Sequence, residues 1–150
     1  MPDNPNASRT WATFRITGKR LDPERITQLL KLAPSESFKA GDPRGTTNLR
    51  WSHGYWGISS EGVIGSTDLE EHLEWLVSQL MSVKNELDEV RATGGIRADI
   101  FCYWESATGN GGPSFSPKLM ERLALLDLEL SLDIYFATSA MSFYAPFLEE

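Results

Sequence analysis

The stretch from Thr67 to Val90, TDLEEHLEWLVSQLMSVKNELDEV, limits the possible folds more than any other part of this chain. Leu69, Leu73, Leu76, Leu80, Val83, Leu87 and Val90 recur at alternating steps of four and three, which puts them on one stripe of a helix. Thr67 and Glu70 fit a capping box at its start. Such a stripe has to be buried against an apolar surface. The spacing also suits a coiled coil, but three heptads in a compact domain fit a helix laid on a sheet, and the rest of the chain supplies strands.

Three segments alternate with a period of two. TWATFRITG (residues 10–18) sets Ala12, Phe14 and Ile16 against Thr13, Arg15 and Thr17. IRADIFCYWE (96–105) sets Ala98, Ile100, Cys102 and Trp104 against Asp99, Phe101, Tyr103 and Glu105. LELSLDIYFA (128–137) sets Leu130, Leu132, Ile134 and Phe136 against Ser131, Asp133 and Tyr135. Each reads as a strand with one buried face. TNLRWSHGYWGISS (47–60) reads as a hairpin whose two-residue turn is His53–Gly54.

Two further helices are predicted. LDPERITQLLKL offers Asp22 as a cap, Pro23 at the first helical position, a staple from Leu21 to Ile26, and a stripe of Ile26, Leu29 and Leu30. A second runs from Pro117 to about Leu126, capped by Ser116 and stapled by Phe115 and Met120. KAGDPRG reads as a turn-rich loop in which Asp42 satisfies local backbone donors.

The order is therefore β-α-β-β-α-β-α-β. Right-handed crossovers turn its first six elements into the split βαβ, or ferredoxin-like, sheet, and the last α-β unit extends one edge. The expected fold is α+β: a five-stranded mixed sheet with strands ordered 5-4-1-3-2 and its helices on one face. Alternation then leaves an open face carrying Thr13, Arg15, Tyr55, Asp99, Phe101, Tyr103, Glu105, Ser131, Asp133 and Tyr135. Four aromatic residues on such a face exceed what solvation requires, although strands favour Tyr and Phe by propensity. Residues 1–9 read as a flexible arm, 10–137 as a single domain, and 138–150 as an apolar tail. That tail carries Met141, Phe143, Tyr144 and Phe147, and is expected to pack on the domain or on a second subunit.

Charge and composition narrow the partners. The net charge of −7 argues against a phosphate backbone, which needs clustered Lys and Arg. Lys19 and Arg20 are the only adjacent basic residues, and Asp22 and Glu24 follow at once. No nucleic-acid partner is expected; a basic protein partner is permitted. The first residues hold no apolar segment like that of a secretory leader, and no run approaches the ~20 apolar residues of a membrane helix. The single cysteine cannot form an internal disulfide, which fits a reducing compartment. A cytoplasmic location and no membrane contact follow as expectations.

Few residues offer chemistry. The loop TGNGGPS lacks the Lys-Ser/Thr of a Walker loop and the Gly-x-Gly-x-x-Gly of a dinucleotide site, and Pro113 removes a backbone donor, so it reads as a connection. Cys102 alternates with the buried set and reads as an inert core thiol. His53 sits in the predicted turn and His72 on a helix flank, too few ligands for zinc. Neither a metal nor a cofactor is expected. The best polar constellation is Arg15 with Asp99, Glu105 and Asp133. Two carboxylates beside an aromatic wall can separate in pKa for acid–base work, while cross-strand ion pairing is the plainer account.

TWATFRITGKRLDPERITQLLKLAPSESFKAGDPRG, GYWGISSE, DLEEHLEWLVSQL, ADIFCYWES and LSLDIYF together resemble the bacterial proteins grouped as domain of unknown function 4279, over residues 10–137. Segments shared with that family include Gly41–Asp42, Trp56, Tyr103–Trp104, Asp133 and Tyr135. The resemblance implies a small α+β cytoplasmic domain and brings no activity or cofactor with it.

The expected function is a non-catalytic binding module that meets another macromolecule through Arg15, Tyr55, Asp99, Phe101, Tyr103, Glu105, Asp133 and Tyr135. Analogy with small acidic bacterial binders extends this to an immunity-like role. Two alternatives stand beside it. One is a small-molecule binder or hydrolase using Arg15, Asp99, Glu105 and Asp133. The other is a homodimer, rather than a monomer, whose open faces meet.

Overall fold

The computed structural model describes residues 4–136. They form β1 (Ala7–Gly18), α1 (Pro23–Leu30), β2 (Glu36–Phe38), β3 (Gly54–Ser59), α2 (Leu69–Ser82), α3 (Lys84–Ala92), β4 (Arg97–Ser106), α4 (Pro117–Leu126) and β5 (Glu129–Phe136). The sheet order is β2-β3-β1-β4-β5. β1 is antiparallel to β3 and β4, β2 is antiparallel to β3, and β4 runs parallel to β5. This is the split βαβ sheet with one α-β unit added at an edge, in the strand order that the crossover rule predicts.

Local chemistry sets the helix limits. The Asp22 carboxylate accepts from the Arg25 amide, Pro23 occupies the first helical position, and the left-handed Lys31 (φ 55°) closes α1. Leu21 and Ile26, the expected staple, are both buried. Ser116 Oγ accepts from the Leu119 amide to start α4, and the left-handed Asp127 ends it. At α2 the cap is Asp68 rather than Thr67, and its carboxylate accepts from the Glu70 amide at 3.0 Å. Glu70 cannot turn back to complete a capping box because its carboxylate is held by the Ser116 amide across the helix layer.

The predicted apolar faces meet in one core. Ala12, Phe14, Ile16, Trp56, Ile58, Ile100, Cys102 and Trp104 from the sheet pack with Leu69, Leu73, Leu76, Leu80, Leu87 and Val90 of the helical stripe. α2 lies against β1 and α1 against β3, with α4 beside α2 and α3 beside α1. Contrary to the buried face expected of the last strand, the covering thins toward the edge strand β5, where Leu132, Ile134 and Phe136 stay 38–41% exposed; Met120, the expected staple partner of Phe115, is exposed as well. The other face of the sheet carries the polar and aromatic set.

Three further details differ from expectation. The long helix is two helices, broken at Val83 (φ −123°, ψ 27°), where Ser82 Oγ donates to the Gln79 carbonyl at 2.6 Å and competes with the helical ladder. β2 is Glu36–Phe38, so His53–Gly54 is not a turn: Phe38 pairs with Tyr55 and Glu36 with Gly57. Residues 39–53 instead fold on themselves, with the Gly41 amide bonded to the Trp51 carbonyl and the Trp51 amide to the Asp42 carbonyl. Residues 44–50 are exposed and have no apolar set to bury on a sheet face. Finally, β1 begins at Ala7, inside the stretch read as an arm; Ala7 is buried opposite Ser106, past a bulge at the Ala7/Arg9 step. The tail 138–150 and residues 1–3 lie outside the described residues.

Candidate functional site

The open face is organised around Arg15 and Asp99, which sit directly opposite each other on β1 and β4. Arg15 Nε donates to Asp99 Oδ1 at 2.8 Å and a terminal guanidinium nitrogen donates to Oδ2 at 2.7 Å. The guanidinium also lies over the Phe101 ring, 4.8 Å from its centre. The hydrogen bond to Asp99 raises the Arg15 pKa above its ordinary value, against the effect of burial. Arg97 reaches Asp99 at 4.0 Å and Glu129 at 3.1 Å. Both groups of this pair are therefore already engaged.

Two positions beyond Phe101 on the same face, a row of rings crosses three strands. Trp11 of β1 stacks on Tyr103 of β4, with ring centres 4.1 Å apart and planes 14° apart, and Tyr103 meets Tyr135 of β5 at 5.1 Å. Register produces the row, because Trp11 is the cross-strand partner of Tyr103 and Tyr135 lies on the strand next to it. Tyr103 donates to Glu105 at 2.7 Å, and Tyr135 bonds Asp133. Burial and then the bond to Glu105 push the Tyr103 phenol up to about 12; the bond to Asp133 raises that of Tyr135. Both phenols stay protonated at neutral pH. Arg9 caps the row over Trp11 at 4.8 Å and pairs with Glu61 at 2.8 Å.

Tyr55 belongs to a second aromatic group at the diagonally opposite corner. Its ring stacks on Phe38 at 5.3 Å, Phe38 stacks on Trp51 at 3.9 Å, and Arg44 lies over Trp51 at 4.4 Å. Gly57 makes room for it: a Cβ there would come within 2.8 Å of the Tyr55 ring. Burial raises the Tyr55 pKa, and Glu36 adds to the shift.

The eight candidate residues thus divide into three groups: Arg15, Asp99 and Phe101 at the centre; Tyr103, Glu105, Asp133 and Tyr135 at one end; and Tyr55 at the other. Asp99 and Glu105 are six residues apart on one strand, a span of roughly 20 Å at ~3.3 Å per residue, too far for joint action on one small substrate. Trp11, Phe38 and Trp51 are additional members. Extending the β1 alternation by one step would have found Trp11. Phe38 sits in a three-residue strand with too few positions to show a period.

Elsewhere, the glycine-rich loop works as a connection. Ser106 Oγ accepts from the Gly109 amide and donates to the Asn110 carbonyl, and a Cβ on the left-handed Gly111 would come within 2.9 Å of Asn6. The start of α4 is already occupied by the chain's own Glu70 carboxylate. Asp42 accepts from the Lys39 amide at 2.8 Å, as a turn residue should. Cys102 is buried, and burial pushes its thiol up to about 12.

His72 is not a flank residue. It is 1% exposed, with Nδ1 2.6 Å from Ser60 Oγ and Nε2 2.7 Å from the Ser66 carbonyl. A carbonyl only accepts, so Nε2 carries a proton, and in the neutral ring Nδ1 then accepts from the Ser60 hydroxyl. Ser60 Oγ in turn accepts from the Ala12 amide. This network ties α2 to β1. Among the described residues, no group of three or more His, Cys, Asp or Glu could hold a metal ion, and no helix is long and apolar enough to cross a membrane.

No curated protein and no solved structure matches this chain. The family model described as a domain of unknown function (DUF4279) matches residues 7–137, nearly the whole length, and the chain belongs to that family.

Proposed function

We propose that this protein is a non-catalytic recognition domain that binds a protein partner through the open face of its sheet. The observation that carries the reading is the row Trp11–Tyr103–Tyr135, which spans three strands and is flanked by Glu105 and Asp133. Aromatic side chains that already pack against each other lose little freedom on binding, and Tyr and Trp dominate the energetic centres of protein interfaces. Phenols whose protons are engaged by Glu105 and Asp133 leave acceptor oxygens beside carboxylates, which suits a partner with a basic contact patch, as does the net charge of −7.

The catalytic alternative has weaker support. Arg15 and Asp99 neutralise each other, and the carboxylates at the far end are hydrogen-bonded to phenols rather than directed at a shared point. The immunity-like version of the reading specifies the partner as a cytoplasmic toxin.

The test is affinity capture with the wild-type chain and with Tyr103→Ala/Tyr135→Ala, after circular dichroism has established that the variant folds. A partner retained by the wild type, lost by the variant, and bound directly by the purified wild type with salt-sensitive affinity is the expected result. Identical partner sets for the two proteins would count against the reading. A homodimer that dissociates when Tyr103 and Tyr135 are truncated would assign the face to self-association instead.

A further inference from the structure

At the end of the sheet away from the Trp11–Tyr103–Tyr135 row, a cleft of about 670 Å³ opens between the start of α1 and the α3–β4 connection. Its floor is apolar, with Leu29 of α1, Val90 of α3 and Ile96 among the lining residues. Part of its wall is bare backbone: Gly94 and Gly95 are both left-handed (φ 74° and 69°), and a Cβ on either would meet nothing within 4 Å. Lys19, Arg20 and Arg25 also line it, and all three are exposed.

Among the described residues, ion pairs engage Arg9, Arg15, Lys84, Arg91, Arg97 and Arg122; Lys19, Arg20 and Arg25 are three of the eight cations outside them, and the three that share one concavity. Asp22, the one carboxylate on the lining, is turned to the Arg25 amide as the cap of α1. Three cations without an acidic partner thus surround an apolar floor in a concavity of a size that takes small ligands.

We infer that this cleft binds a small amphiphilic anion: a carboxylate or phosphate held by Lys19, Arg20 and Arg25, on an apolar body that covers Leu29, Val90 and Ile96. A charged headgroup receives charge-assisted hydrogen bonds from the rim, while the apolar body removes the floor from water. Neither group alone uses both halves of the lining. The site is separate from the proposed interaction face, so the two readings stand or fall independently.

The test is an amide NMR titration of the full chain with octanoate, octyl phosphate and octanol, repeated on Lys19→Gln/Arg20→Gln/Arg25→Gln, whose substitutions are exposed and leave the core intact. Saturable shifts at the Gly94, Gly95 and Ile96 amides are expected with at least one of the two anions, and which anion saturates identifies the headgroup. The triple variant should weaken that binding by about tenfold or more, and octanol should bind as poorly to the wild type. Arg9→Gln, on the other face, should bind like the wild type. Absence of saturable shifts with both anions, binding of octanol equal to theirs, an unchanged affinity in the triple variant, or an equal loss in Arg9→Gln would each overturn the inference.

Discussion

Arg15 and Asp99 face each other across β1 and β4, and one guanidinium holds both oxygens of one carboxylate. The two ends differ in exposure: the Asp99 side chain is 8% exposed and that of Arg15 is 34%. Removing the arginine would leave a nearly buried carboxylate with only Arg97, 4.0 Å away, in attendance.

Arg15→Ala should therefore destabilise the fold by about 2–3 kcal/mol, below the full cost of breaking a buried pair because the guanidinium is partly in water. Arg15→Lys should recover only part of this, since an ammonium cannot bind both oxygens in the same fork. The exposed pair Lys84–Asp88 serves as the control, and Lys84→Ala should cost about 0.5 kcal/mol or less. Urea denaturation gives all three values. A cost for Arg15→Ala no larger than that for Lys84→Ala would mean that solvent already screens the sheet pair.

Two buried tryptophans make a sharper comparison. Trp56 and Trp104 are both fully buried, but Trp56 donates its indole N–H to Thr27 Oγ1 at 2.9 Å, whereas among the described residues the Trp104 N–H has no acceptor. Replacement by Phe removes a similar part of the ring at each site. At Trp56 it also removes a hydrogen bond; at Trp104 it removes a polar group that burial already penalises. Trp56→Phe should cost about 1–2 kcal/mol more than Trp104→Phe. Equal losses of stability in chemical denaturation would show that packing alone decides both sites.

The parts of this fold that could be read in advance are those where one physical pattern repeats often enough to show a period. β1 and β4 each bury one face along strands of ten or more residues, so the alternation of Ala12, Phe14 and Ile16, or of Ile100, Cys102 and Trp104, carried the open-face residues with it. β2 has three residues and no period, while Trp51, which resembled a strand residue, and His53, which resembled a turn residue, stack on and beside Phe38 in a loop. The break at Val83 left no mark in the apolar stripe because Leu87 and Val90 remain buried beyond it. Division of the candidate site into three groups depends on cross-strand register, which no single strand encodes. The environment of His72 depends on Ser60 and Ser66, which lie in a connection rather than on a periodic element.

That histidine is the next point of leverage. Ser60 Oγ takes the Ala12 amide at 2.9 Å and gives its proton to His72 Nδ1, so one hydroxyl serves a strand and a helix at once. Ser60→Ala leaves the buried Ala12 donor without its acceptor and His72 Nδ1 without its donor, and should cost about 2–4 kcal/mol. His72→Leu removes the acceptor of the buried Ser60 hydroxyl together with the imidazole N–H bond to the Ser66 carbonyl, and should cost a similar amount. The double variant should cost clearly less than the sum, because the two residues form one network. Nitrogen-15 spectra of the imidazole should report the Nε2–H tautomer; the Nδ1–H form would contradict the assigned direction of both bonds.

Cys102 supplies a pH dependence with a definite sign. The thiol is buried, and burial pushes its pKa from the ordinary 9.0 up to about 12. The unfolded chain therefore loses this proton at lower pH than the folded chain, and stability from this group, complete below about pH 9, declines as pH rises toward 12. Between pH 8 and pH 10 the decline should be roughly 1.4 kcal/mol. Cys102→Ala should lose stability at both pH values through the small cavity it leaves, yet lack this part of the slope. A disulfide reagent at pH 8 should label the native thiol only at the rate of unfolding and the urea-denatured thiol at once. Rapid labelling of the native protein, or equal alkaline slopes in the wild type and Cys102→Ala, would mean that water reaches the sulfur between the sheet and its helices.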